Sequence, residues 1–145
     1  MHKMLIGGAL EQGSRELDVI DPSTGEAFDK VPDATLEDVD KAIAAAAGAY
    51  PAWRDCGADD RSAVLEAMAS AIEGNIDELA DLLIAETGRP RDLAMFELGH
   101  LAVGYLRYYA SLRLTPEILI DDETRRVELH RKPLGVVAAI VPWNA

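Results

Sequence analysis

The sequence predicts an α/β fold, and three observations carry that prediction. Near the end of the chain, Pro133-Leu134-Gly135 leads into six consecutive apolar residues, 136–141, rich in β-branched types. Such a run reads as a strand covered on both faces, as inside a parallel sheet. Residues 1–33 read as short strands and turns, and residues 36–112 place their apolar side chains at helical spacing.

Length and composition set the outer limits. A chain of 145 residues allows one modest domain, and 49% hydrophobic with 28% charged residues is ordinary for a globular protein. The formal net charge of −12 argues against nucleic acid as a partner and against an anionic membrane surface. No apolar run approaches the roughly 18 residues of a membrane span. The Met4-Leu5-Ile6 patch is short and broken by Gly7 and Gly8, unlike a signal-peptide core. A single cysteine, Cys56, makes no internal disulfide, so a cytoplasmic protein is the simplest inference.

Taken in order, Met4-Leu5-Ile6 is a brief β run ended by the two glycines. Glu16-Leu17-Asp18-Val19-Ile20 alternates polar and apolar, as a half-buried strand does. Asp21-Pro22-Ser23-Thr24-Gly25 is a turn, with proline presetting φ and glycine accepting positive φ. A second strand returns over residues 27–31 and closes at Pro32. Thr35 then caps a helix that carries Glu37, Asp38 and Asp40 in its first turn, where the helix dipole favours negative charge. Val39, Ile43, Ala46, Ala47 and Tyr50 line one side of it, and Pro51 is expected to stop it.

A second helix is predicted over residues 59–72, on Val64, Leu65, Met68, Ala69 and Ile72. Gly74-Asn75 interrupts it. Asn75 is expected to cap a third helix, with Glu78 completing a capping box and Ile76, Leu79, Leu82 and Leu83 on the buried side. Gly88 suits the left-handed position after that helix, and Pro90 prevents continuation. A fourth helix spans 91–112. Gly99 and Gly104 weaken it by about 1 kcal/mol each relative to alanine, so close packing is their expected reason. From 125 to 131 the period becomes two, with Val127 and Leu129 opposed to Arg126, Glu128 and His130, which reads as an edge strand.

Five blocks of this chain, in register, resemble the aldehyde dehydrogenase superfamily. They are Asp21-Pro22-Ser23-Thr24-Gly25-Glu26; the first helix with Trp53-Arg54; Glu86-Thr87-Gly88-Arg89-Pro90; Leu106-Arg107-Tyr108-Tyr109-Ala110; and Pro133-Leu134-Gly135-Val136 followed by Pro142-Trp143-Asn144. The resemblance is to the N-terminal portion of a longer enzyme. It implies an incomplete aldehyde dehydrogenase fold: an N-terminal β-meander with helices, and the first strand of a Rossmann-like NAD(P)-binding domain. The implied division is 1–120 as the helical part of the NAD(P)-binding domain, 121–133 as a strand of the oligomerisation arm, and 134–145 as the first strand of the dinucleotide sheet. The arm strand is expected to pair with strands from elsewhere in such an enzyme. A homo-oligomer, dimer or tetramer, is implied for the complete protein.

The same resemblance implies a chemistry. In that family a cysteine thiolate attacks an aldehyde, the thiohemiacetal is oxidised with NAD or NADP as cofactor, and water hydrolyses the thioester. Asn144 corresponds to the residue that donates its side-chain N–H to the oxyanion, a contribution of about 3–4 kcal/mol in other oxyanion holes. Without the resemblance, an asparagine after a strand is more often a turn residue. Ile140, Val141, Pro142 and Trp143 correspond to the cofactor wall, met largely through main-chain atoms; Ile140 and Val141 read equally as strand core.

Cys56 lies in Arg54-Asp55-Cys56-Gly57, between two helices, and matches no catalytic position of the family; it reads as an incidental thiol. The family's nucleophile and general base correspond to positions beyond Ala145. His2, His100 and His130 fit no metal spacing, and no Gly-x-Gly-x-x-Gly occurs. Val19, Ile20 and Glu97 lie near places where some members hold a monovalent cation, but no metal site is assigned. The expected function is NAD(P)-dependent oxidation of an aldehyde, with residues 1–145 inactive alone. The alternative is a non-catalytic chain that pairs with a full-length dehydrogenase subunit through its edge strand.

Overall fold

The computed structural model describes residues 2–141. Three antiparallel hairpins and a run of helices make up the described residues. β1 (Met4–Ile6) pairs with β2 (Ala9–Glu11) across Gly7 and Gly8, whose φ values of 60° and 83° make the two-residue turn that hairpins favour. β3 (Glu16–Ile20) pairs with β4 (Ala27–Pro32). The turn between them is held by Asp21, whose main-chain carbonyl accepts from Gly25 N at 2.7 Å and whose carboxylate accepts from Ser23 N at 2.7 Å.

α1 (Leu36–Asp55) begins where the sequence places it. Thr35 Oγ1 accepts from Asp38 N at 3.2 Å, and Thr35 N donates back to the Asp38 carboxylate at 2.9 Å, a reciprocal cap. Pro51 does not stop this helix, contrary to expectation. The helix runs one more turn to Asp55, with Pro51 inside it, and closes through Cys56 N donating to Ala52 O at 3.0 Å. Proline removes one helical hydrogen bond but leaves the bonds of later residues available. The Arg54 guanidinium, 5.9 Å over the Tyr50 ring, ties this last turn together.

α2 (Ala58–Gly74) and α3 (Ile76–Thr87) follow, separated by Asn75 alone. Asn75 caps differently from expectation. Its side-chain amide donates to Ala71 O at 2.8 Å, closing α2, and no side chain caps α3. Gly88 adopts φ 70° and its N–H donates to Ile84 O at 2.8 Å, as the sequence implies. The predicted fourth helix is α4 (Arg91–Phe96), a π-helical segment (Glu97–Ala102) and α5 (Val103–Ser111) in unbroken succession. Gly99 has the packing reason anticipated for it: a Cβ there would lie 3.2 Å from Ile76 Cδ1. Gly104 does not, since a Cβ there meets nothing within 4 Å.

α5 packs on α2, and Ser62 Oγ donates to Ala110 O at 2.7 Å across that contact. The buried apolar residues are Ile6, Ala69, Ala80, Ala94, Val103 and Ala110. Four of these six are alanines on helices, so the helices meet backbone to backbone through small side chains. The larger residues of the predicted stripes are less covered. Val39, Ile43, Val64, Met68 and Leu82 are exposed, and α1 buries none of its residues. The chain exposes 10939 Å², half as much again as the roughly 7300 Å² expected of a compact protein of this mass. Amphipathic helices at the right spacing are present, with their apolar sides open.

β5 (Glu117–Asp121) and β6 (Arg126–Leu129) form the third hairpin. The edge strand is where the sequence places it, and its partner is the immediately preceding segment. Asp122 builds the turn, its carboxylate accepting from Thr124 N at 2.9 Å and Arg125 N at 3.0 Å.

Candidate functional site

The candidate site lies at the end of the segment that follows β6. Residues 130–141 carry no strand or helix. The strand predicted over residues 136–141 is therefore not formed among the described residues. A buried parallel strand is held by neighbours on both sides and by layers on both faces, and the described residues provide only antiparallel hairpins closed on themselves. Leu134 is 96% exposed, Ile140 92% and Val141 84%, so side chains suited to an interior face outward. The segment is anchored at its start, where Tyr50 Oη donates to Pro133 O at 3.3 Å.

Of the five residues singled out by sequence, the structure describes Ile140 and Val141. Pro142, Trp143 and Asn144 lie outside the described residues. Residues 140 and 141 make no strand ladder with any described residue.

Other candidates resolve into structural roles. Cys56 is half-buried; its N–H closes α1 and its carbonyl accepts from Arg61. Glu97 is ion-paired with Arg89, so its carboxylate already faces a cation. His100 is exposed and stacks on Phe96, with ring centroids 5.0 Å apart. His130 Nε2 lies 2.8 Å from Glu128, whose carboxyl is held below its ordinary value by His130 and then by Arg126. Among the described residues no group of three or more His, Cys, Asp or Glu is arranged to hold a metal ion.

Sequence reasoning missed β2, β5 and the Arg89–Glu97 pair. The two strands had a signal. Gly7-Gly8 sits between two short runs, and Glu117-Ile118-Leu119-Ile120-Asp121 is a β-branched run between a proline and acidic residues. The ion pair joins residues eight apart across a helix boundary, which local periodicity does not reveal.

Comparison with known proteins supplies the rest. The chain is 38% identical over 141 residues to the aldehyde dehydrogenase LUC3 of Fusarium sp, covering 97% of this chain and 30% of that protein. It is 35% identical over 147 residues to the 2-aminomuconic semialdehyde dehydrogenase of Bos taurus, covering 99% and 30%. Among solved structures, lactaldehyde dehydrogenase from Escherichia coli superposes with a TM-score of 0.77 at 32% identity, over 84% of this chain and 26% of that one. PnpE in complex with nicotinamide adenine dinucleotide gives 0.81 at 28% identity, over 91% and 28%. The chain thus spans about 30% of the length of these relatives. The model of the aldehyde dehydrogenase family matches residues 10–145, and the chain belongs to that family.

Proposed function

We propose that residues 1–145 are the N-terminal part of an NAD(P)-dependent aldehyde dehydrogenase, contributing the oxyanion donor and one edge of the cofactor site. The observation that carries this reading is the unbroken family match through residue 145, which includes the Pro142-Trp143-Asn144 segment. Asn144 presents its side-chain amide to the oxygen of the aldehyde as a cysteine thiolate attacks. Ile140, Val141, Pro142 and Trp143 flank the dinucleotide, which, when bound, accepts the reducing equivalent. The division into 1–120, 121–133 and 134–145 belongs to the same proposal, as does assembly into a homo-oligomer with the β5–β6 hairpin in the arm.

The relatives act on varied aldehydes. Their names include 2-aminomuconic semialdehyde and D-glyceraldehyde, and the latter enzyme is described as NADP-dependent. An aldehyde is the substrate class proposed here, with NAD or NADP as oxidant. The test is Asn144→Ala in the protein that carries the catalytic cysteine. Loss of one oxyanion donor lowers kcat by about 10²–10³-fold, with KM little changed. Unchanged kcat removes Asn144 from the chemistry.

A second reading rests on the 10939 Å² of exposed surface and the open hairpin edges, which suit pairing with a separate dehydrogenase subunit. The intact mass of the native protein separates the two. A mass far above 15.7 kDa supports the first reading. A mass of 15.7 kDa with co-purification of a dehydrogenase supports the second.

A further inference from the structure

One cleft of this acidic chain is lined by an excess of positive charge. It measures about 590 Å³ and lies where the end of α1, the start of α2 and the segment after β6 converge. Arg54, Arg61, Arg131 and Lys132 line it, against the single carboxylate of Asp55, for a formal charge of +3 in a chain of −12.

The pairing within the cleft is uneven. Arg54 is fully engaged, its Nε and Nη2 each 2.7 Å from the Asp55 carboxylate. Arg131 reaches Glu117 only at 3.9 Å. Arg61 donates to the main-chain carbonyl of Cys56, which satisfies one donor and neutralises no charge. Lys132 is exposed, and among the described residues no carboxylate pairs with Arg61 or Lys132. A guanidinium has five N–H donors in a planar fork, so Arg61 retains the means to hold two oxygens of one anion.

The cleft also has an apolar side. Trp53 and Leu114 line it, and together with Arg61 they line an adjoining hollow of about 250 Å³ walled by Leu65 and Leu112. Cations beside an aromatic side chain and an apolar recess suit a ligand with a compact dianion at one end and a planar apolar body at the other. We propose that this cleft binds an aromatic phosphomonoester, with Arg61 and Lys132 on the phosphate and Trp53 against the ring. Charge focusing in a concave site raises the local concentration of such an anion even though the whole chain is acidic.

Calorimetric titration of the full chain with phenyl phosphate tests the proposal, with inorganic phosphate and phenol as the separate halves of the ligand. The expected result is saturable one-to-one binding at least about tenfold tighter than either half. Lys132→Gln and Arg61→Gln are each expected to weaken it by about tenfold, as loss of a charge-assisted contact does. Arg61→Gln also removes the bond to Cys56 O. Where that variant fails to fold by circular dichroism, Lys132→Gln, exposed and unpaired, gives the answer. No saturable heat, or equal affinity in the wild type and Lys132→Gln, overturns the proposal. Binding of inorganic phosphate as tight as phenyl phosphate overturns the assignment of Trp53 to the ring.

Discussion

Arg89 and Glu97 form an ion pair in which each side chain is 22% exposed, joining the residue after Gly88 to the first residue of the π-helical segment. Breaking a hydrogen bond to a charged partner at such a site costs about 1.5–3 kcal/mol. Glu97→Gln is expected to lower the urea midpoint accordingly, with the slope unchanged. An unaltered midpoint would mean that solvent screens the pair completely.

Gly88, Gly99 and Gly104 give a graded prediction. Gly88→Ala must hold φ 70° with a Cβ 3.0 Å from Pro22 Cγ, so a loss of about 1–2 kcal/mol is expected. Gly99→Ala gains helix propensity but presses on Ile76 Cδ1 at 3.2 Å, and the two effects oppose. Gly104→Ala meets open space and is expected to stabilise by up to about 1 kcal/mol. Thermal unfolding of the three variants checks the order; a destabilised Gly104→Ala would mean that another surface covers that face of α5.

Acid should loosen the turns and the first cap together. The carboxyl of Asp38 is held below 3.8 by Thr35, that of Asp21 by Ser23, and that of Asp122 by Thr124. A depressed folded value means that the unfolded chain binds the proton more readily. The stabilisation is therefore complete above 3.8 and is lost as pH falls through the lower folded value. Melting temperatures measured from pH 5 down to pH 2 should fall, and Asp38→Asn should flatten that fall without abolishing it. An identical pH profile in the variant would remove the cap as a contributor.

How much of this was legible in the sequence depended on the range of the interaction. Thr35 at the cap of α1, Gly88 after α3 and the Asp21–Gly25 turn are settled by neighbours a few residues away, and they fold as read. Pro51 and Asn75 depart from expectation because the same residue types serve more than one local role. Proline is tolerated when the following turn finds other support, here Arg54 over Tyr50. Asparagine can close one helix as easily as it opens the next. The apolar stripe of α1 was legible as a pattern, but the partner that would cover it was not, because coverage depends on distant chain. The candidate site shares that dependence. Residues 136–141 have the composition of a buried strand and stand in the open, because a strand forms only with a neighbour to pair with.

That dependence gives the last prediction. In the chain of residues 1–145 the amides of 136–141 have no ladder to protect them, and their hydrogens should exchange at the rate of a free segment, while the α2–α5 contact around Ala69 and Ala110 exchanges slowest. Residues 140 and 141 are apolar and about nine-tenths exposed, so strand partners on either side would bury them. In a protein that supplies those partners, protection of 136–141 should rise to the level of the core. If these amides stay unprotected in an enzyme that oxidises aldehydes, the run is not a sheet strand, and Asn144 loses the rigid support that an oxyanion donor needs.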